Sequence, residues 1–470
     1  MTTVFSAFER TAAAHGEKPF LVMPSWRLEL TYAQASERIA QIAARYRSRG
    51  YGRGHRVALQ LENRPEFPLH FLALNSLGAS VVPLNPDYRA AELEYVLAHS
   101  EASAHITARD LGDPPQPKKA GNAGECALLY TSGTTGKPKG CLLSDFYFLN
   151  VGQRYLDEGG LCAVHHGAER LITPLPFFHM NALAVSTTAM ILSAGCVVQL
   201  DRFHPKTWWR DVVDTGATIV HYLGVMPAIL MNLPDTPAGH RVRFGFPLIE
   251  AWAMTETGGG ALVAASREPR HVGTRCIGVP PPGLEILVSE SQELLVRQSG
   301  PDARRGFFSG YLKDERATEE AWRDGWFHTG DSVRRGPDGA LHFVDRLKNI
   351  IRRAGENIAA LEVEAALAGH PAIAQVAVIA VPDPVRDEEV MACVVLKEQA
   401  KSRETAVSIQ DWCLERLSYF KAPGHVAFLD TLPTTATNKV QKAKLADFAV
   451  KAADSFDLRE RKKRTATKSV

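Results

Sequence analysis

The sequence predicts an α/β protein: a large N-terminal body of α/β subdomains with a β-rich subdomain, then a small mobile α+β domain. Three observations carry this. Helical and extended patterns alternate from residue 31 to 222, which is the rhythm of parallel β-α-β units. Between residues 273 and 345 short strands with Gly, Pro and Asp turns take over. From residue 361 a helix (361–368), strands at 376–381 and 392–396 and a helix (409–417) form a unit of their own. The expected divisions are 1–345 for the body, 346–450 for the small domain with a hinge near Lys348, and a basic tail, 451–470, without fixed structure.

Each element has a local reason. Thr31 is an N-cap for a helix over 32–49, with Ala35, Ile39, Ile42, Ala43 and Tyr46 on one face and Gly50 as its stop. A strand follows at 57–61, a helix at 66–77 ending on Gly78, a strand at 80–84, a helix at 91–99 and a short strand at 105–107. Residues 111–125, rich in Pro, Gly and Lys, read as an exposed connector. A strand at 126–130 then enters a polar, Gly-rich turn. Beyond it come strand 170–173, helix 181–192, strand 197–200, helix 205–215 and strand 218–222. The most apolar stretch, 182–200, is interrupted by Ser186, Thr187, Thr188, Ser193 and Gly195. That is too polar for a membrane span of ~20 apolar residues, so a buried helix leading into a strand is expected.

Composition narrows the class. With 45% hydrophobic and 23% charged residues the chain is an ordinary globular one rather than a disordered one. Its 470 residues suit two to four domains at ~100–200 residues each. Lys and Arg number 54 against 52 Asp and Glu, so nothing demands a nucleic-acid partner. The excess lies in the tail, where Arg459–Arg464 reads RERKKR and is expected to be a solvated charge run. Seven scattered cysteines without a C-x-x-C fit reduced thiols and a cytoplasmic location, and give no zinc spacing.

The chemistry begins at Tyr130-Thr131-Ser132-Gly133-Thr134-Thr135-Gly136-Lys137-Pro138-Lys139-Gly140. Glycines let backbone N–H groups approach a polyphosphate, hydroxyls donate to it, and the two lysines offset its charge. The Gly133–Gly136 spacing and Pro138 exclude a Walker A loop. By composition alone such a turn could be a flexible surface loop.

The string resembles the signature loop of adenylate-forming enzymes: acyl-CoA synthetases, the adenylation domains of peptide synthetases, and luciferases. The resemblance continues in order through the chain. Pro174-Leu175-Pro176-Phe177-Phe178-His179-Met180 resembles the aromatic-plus-histidine segment, which implies that His179 lines or gates the acyl site. Ala251-Trp252-Ala253-Met254-Thr255-Glu256-Thr257-Gly258 resembles the aromatic-x-x-Thr-Glu motif. It implies Trp252 against adenine, Thr255 on phosphate and Glu256 on Mg²⁺, a hard cation that takes oxygen ligands. Gly325-Trp326-Phe327-His328-Thr329-Gly330-Asp331 implies Asp331 on the ribose hydroxyls. Val344-Asp345-Arg346-Leu347-Lys348 implies Arg346 on ribose and phosphate and Lys348 at the pivot. Gly355 matches a glycine beside the pantetheine channel, and Lys439, in Leu432-Pro433-Thr434-Thr435-Ala436-Thr437-Asn438-Lys439, matches the adenylating lysine. Asn438 stands where the family usually has Gly, and Asn is the side-chain-bearing residue that best tolerates φ > 0.

What the resemblance implies is an AMP-forming acyl-CoA ligase. It would take ATP, Mg²⁺, coenzyme A and a small-molecule carboxylic acid, with no nucleic acid, no integral membrane segment, and a homodimer as a possible assembly. The small domain looks most like that of carnitine/crotonobetaine-type CoA ligases. Met180, Asn181, Gly224, Val225 and Gly258 are the acyl-pocket candidates. Three connections are short for the family: 107 to the phosphate loop, 287–294, and above all 241–250, where two strands run together beside the expected adenine site. This leaves two rivals, a degenerate nucleotide- or acyl-binding homologue and an acyl-AMP ligase using another acceptor.

Overall fold

The computed structural model describes residues 2–88, 90–131, 138–222, 225–231, 248–266, 271, 274–354, 356–434, 440–442, 444–445 and 454–462. The chain divides into two units. The first comprises Met1–Val272, Ile277–Glu285 and Val296–Phe327, the second Gly273–Cys276, Ile286–Leu295 and His328–Val470.

Two sheets organise the first unit. In one the strand order is Ile219–Val220, Arg170–Thr173, Cys196–Gln199, Pro19–Met23, Leu28–Thr31; all neighbours are parallel except the last pair. In the other it is Gly310–Tyr311, Lys139–Leu143, Ala127–Thr131, Ser80–Leu84, Arg56–Gln60, Ala104–Ile106. Here the last four strands are parallel and the first two join antiparallel. The parallel part is the expected β-α-β architecture. Ser80–Leu84 is buried at every position, as a strand covered on both faces must be.

The helices follow their caps. Thr31 and Gln34 form a capping box that starts Tyr32–Ser48, and its face Ala35, Ile39, Ile42, Ala43 and Tyr46 is buried. The helix expected over 181–192 begins instead as a π-helix, Asn181–Ser186, and only then becomes the α-helix Thr187–Ser193. The hydroxyls explain the wider turn: Ser186 Oγ donates to Asn181 O and Thr187 Oγ1 to Ala182 O, each five residues back. Between 276 and 346 the described regular elements are strands apart from one helix, Glu315–Ala321, as expected of a β-rich piece. No helix among the described residues is long and apolar enough to cross a membrane. All seven cysteines are free thiols.

The second unit is built on a sheet ordered Glu356–Ala359, Ile350–Arg353, Asp387–Leu396, His425–Phe428, Ser455–Asp457, with Ile373–Asp383 also paired to Asp387–Leu396. Ile351, Ile358, Val363, Leu367, Val378, Val390, Ile409 and Val426 are wholly buried together. At ~1.5–3 kcal/mol per buried aliphatic side chain this is a core of its own. Residues 454–462 correct the reading of a tail without fixed structure. Ser455–Asp457 is the edge strand of this sheet, Leu458 joins the core, and Lys462 is buried on Glu389. Arg459 and Lys462 are anchored on Asp383 and Glu389, partners that lie far back in the sequence.

Candidate active site

The loop Ser132–Lys137 lies outside the described residues, but its base is defined. Ala127–Thr131 and Lys139–Leu143 are antiparallel neighbours, with Thr131 directly opposite Lys139. The strands on either side of the loop are therefore paired with each other in the sheet. Lys139 Nζ sits 4.8 Å above the Tyr311 ring and 3.8 Å from Asp314.

The Thr-Glu motif is the turn of a second hairpin, Leu248–Met254 with Gly258–Ser266. Thr257 closes this turn, its Oγ1 accepting from Met254 N at 3.2 Å and its N donating to Met254 O at 3.2 Å. Gly258 has φ +77°, and a Cβ there would lie 3.1 Å from Gly306 O and 3.2 Å from Val151. The absent side chain thus serves close packing as well as the turn. Trp252 is buried. The turn is held from behind by the helix Asp145–Asp157, whose N-cap is Ser144: Tyr147 OH donates to Thr255 O at 2.7 Å. Glu256 is 7% exposed; its backbone carbonyl accepts from Phe308 N and its Oε1 from Tyr311 OH at 2.9 Å. Burial, and then the Glu256 carboxylate, hold Tyr311 far above the usual phenol range, so it stays a neutral donor.

The structure thus brings Lys139 and Glu256 together on Tyr311, with Thr131 the cross-strand partner of Lys139 and Thr255 next to Glu256 in the turn. Sequence reasoning missed Tyr311 and Asp314. Gly310, with φ +144°, packs on Thr318 and Asp314 caps the helix Glu315–Ala321, but neither feature marks a site in the sequence. The Glu256 carboxylate, oriented by the Tyr311 phenol, is a hard oxygen donor. It suits Mg²⁺ bound by one carboxylate plus substrate phosphates.

His179 follows a rigid segment. Asn63 donates to Pro174 O, Leu175 O and Leu200 O and accepts from Phe177 N, while Phe177 stacks on Phe67. His179 and Met180 are half-buried at the entrance to the π-helix, and the Phe178 ring lies 4.6 Å from that of His179. Asn181 belongs to a polar set beyond them. Ser186 Oγ lies 2.8 Å from His221 Nδ1, and His221 Nε2 lies 3.1 Å from Tyr155 OH. Desolvation drives His221 down to about 4, so it is neutral. Val225 opens the helix Val225–Met231.

In the second unit Asp331 and Arg346 are cross-strand partners on Trp326–Arg335 and Leu341–Arg346, with Arg346 Nε 2.6 Å from the buried Asp331 carboxylate. The neighbouring Asp345 accepts from Arg346 N, Asn349 and Leu361 N, tying the turn at Leu347–Asn349 to the helix Ala360–Ala368. Lys348 is exposed on that turn; desolvation first, then Arg346 and Lys442, lower its ammonium. Gly224, Gly355 and Lys439 lie outside the described residues, as does 241–247. Around Lys439, Gln441 N donates to Pro433 O and Lys442 pairs with Glu364 at 2.7 Å.

A parallel α/β body with a Gly/Ser/Thr-rich sequence between two paired strands, a Thr-Glu turn and a separate α+β unit point to an adenylate-forming enzyme. The family comparisons agree. The profile described as AMP-binding enzyme matches residues 8–125 and 108–241, and that described as AMP-binding enzyme C-terminal domain matches 362–439. A sulfoacetate–CoA ligase of Cupriavidus necator is 30% identical over 93% of this chain and 96% of its own length. A crotonobetaine/carnitine–CoA ligase of Proteus mirabilis is 26% identical over 89% and 93%. The solved o-succinylbenzoate CoA synthetase of Bacillus subtilis, in complex with its acyl-adenylate intermediate, has the same fold (TM-score 0.82, 23% identity, 95% of this chain and 98% of that one). The chain belongs to the AMP-binding enzyme family, among its AMP-forming acyl-CoA synthetases, a class that uses ATP, Mg²⁺ and coenzyme A. The alignment with the Cupriavidus protein runs over 504 positions, more than the 470 residues here, so that relative carries residues this chain lacks.

Proposed function

We propose that this protein joins a short carboxylic acid bearing a second polar or charged group to coenzyme A through an acyl-adenylate. The observation that carries the reading is the Lys139–Tyr311–Glu256 arrangement beside the strands that flank the Gly/Ser/Thr loop. The substrate carboxylate is the nucleophile and attacks the α-phosphorus of ATP, expelling pyrophosphate, so no Ser-His-Asp set is needed. The protein's task is positioning and charge stabilisation. Lys139 and the loop hydroxyls and amides (Thr131, Ser132, Gly133, Thr134, Thr135, Gly136, Lys137) hold phosphates. Thr255 donates to the α-phosphate, Asp331 and Arg346 hold ribose, and Trp252 lies along adenine. Glu256 would hold Mg²⁺, which, when bound, supplies positive charge to the phosphate oxygens.

Lys439 neutralises charge during adenylation, and the small domain, turning about Lys348, then presents Gly355 to the thiol substrate. The Asn181–Ser186–His221–Tyr155 set supports a polar rather than long-chain acid, with His179 and Met180 at its entrance. The relatives named for sulfoacetate and carnitine point the same way. The cytoplasmic location and the homodimer belong to this reading as well. ATP–pyrophosphate exchange with a panel of acids, with and without coenzyme A, tests it. Exchange plus thioester with short polar acids is expected. Exchange with none would favour a degenerate binding homologue, the rival favoured by the residues missing relative to the Cupriavidus protein. Exchange without thioester would favour another acceptor.

A further inference from the structure

We propose that Arg459 and Lys462, on the C-terminal segment, are positioning residues for thiol transfer, bracing two adjacent segments of the small unit through Asp383 and Glu389. The inference rests on the proposed role of Gly355. The segment is fastened along its length. Phe456 pairs with Val426, Leu458 N donates to Gly424 O at 2.8 Å, and Gln410 Nε2 donates to Leu458 O at 3.0 Å. It then delivers two cations. Arg459 donates to Asp383 at 2.8 Å, and Lys462 Nζ to Glu389 at 2.5 Å, with both side chains of the second pair fully buried.

The two acceptors flank one turn, the connection from Ile373–Asp383 to Asp387–Leu396. Glu389 also takes Arg353 Nε at 2.8 and 2.9 Å, and Arg353 ends its strand two positions before Gly355 in the sequence. The two segments are themselves joined, Ala354 N donating to Arg386 O at 2.9 Å. Glu389 packs so closely on Gly424 that a Cβ there would lie 2.6 Å from its carboxylate carbon. A buried carboxylate held by two cations from different elements couples those elements, because each cation ties its own element to the same group and losing one releases that tie. The Lys439 segment is fastened elsewhere, through Lys442–Glu364 and the cluster of Leu432 and Leu445. Loosening the C-terminal brace should therefore disturb the thiol step and spare adenylation.

The test uses the full chain carrying Lys462→Met, which keeps the stem and removes the charge. Arg459→Gln is the second variant; its partly exposed side chain makes it the safer one for folding. Expected are unchanged ATP–pyrophosphate exchange, a loss of about ten- to a hundredfold in kcat/KM for coenzyme A, and faster amide hydrogen exchange at 350–359. Parallel loss of both half-reactions in a folded variant would overturn the proposal, as would wild-type coenzyme A kinetics with unaltered hydrogen exchange. If Lys462→Met does not fold, Arg459→Gln decides by the same criteria. A wild-type protein without exchange or thioester formation would instead overturn the function on which the proposal rests.

Discussion

Tyr311→Phe removes one hydroxyl from the centre of the site and leaves the ring. The ring is what faces Lys139, so that contact survives. What is lost is the 2.9 Å bond to Glu256 Oε1. Glu256 is 7% exposed, with the buried Cys141 and Tyr147 close enough to feel its charge, so water replaces the lost donor poorly. A hydrogen bond to a buried ionised carboxylate is worth ~1.5–3 kcal/mol. If that energy holds Glu256 in place for the metal–nucleotide complex, kcat/KM for ATP falls roughly ten- to 150-fold at 1.4 kcal/mol per decade. Pyrophosphate exchange at varied ATP and Mg²⁺ reads the loss, and thioester formation from supplied acyl-adenylate serves as the control. A folded Tyr311→Phe protein exchanging at the wild-type rate would refute the assignment of Tyr311 and Glu256 to the nucleotide site.

Three other outcomes are expected. Lys439→Ala abolishes pyrophosphate exchange but leaves thioester formation from acyl-adenylate largely intact; equal loss of both would contradict alternation about Lys348. Gly355→Trp does the reverse, blocking the thiol step while exchange continues, and normal thioester kinetics in it would count against the channel. His70 is buried against Tyr46 OH at 2.7 Å, and burial lowers it to about 4 from 6.5. The unfolded chain binds its proton first, so stability falls as pH drops from 6.5 towards 4, by up to about 3 kcal/mol. Denaturant titrations of wild type and His70→Gln across that range check the sign and size.

The parts that were legible in the sequence were those set by neighbours along the chain. Thr31 before an amphipathic run marks a helix start, and the apolar run 81–84 has few alternatives to a covered strand. The family was legible from the order and spacing of its motifs. What escaped depends on distant partners. Tyr311 acquires its role from Glu256, 55 positions earlier. Lys462 is fixed by Glu389, 73 positions earlier; without that partner a like-charge run is rightly read as solvated. The π-turn at Asn181–Ser186 escaped because apolar periodicity does not register hydroxyls that reach back five residues.

The most direct test of the central claim follows oxygen. With an ¹⁸O-labelled substrate carboxylate, ATP and coenzyme A, attack by the carboxylate on the α-phosphorus leaves one of its oxygens on AMP when the thiol displaces it. The account predicts AMP carrying one labelled oxygen, unlabelled pyrophosphate, and the acyl group on coenzyme A. Thioester formed with unlabelled AMP, or label appearing in inorganic phosphate, would contradict it.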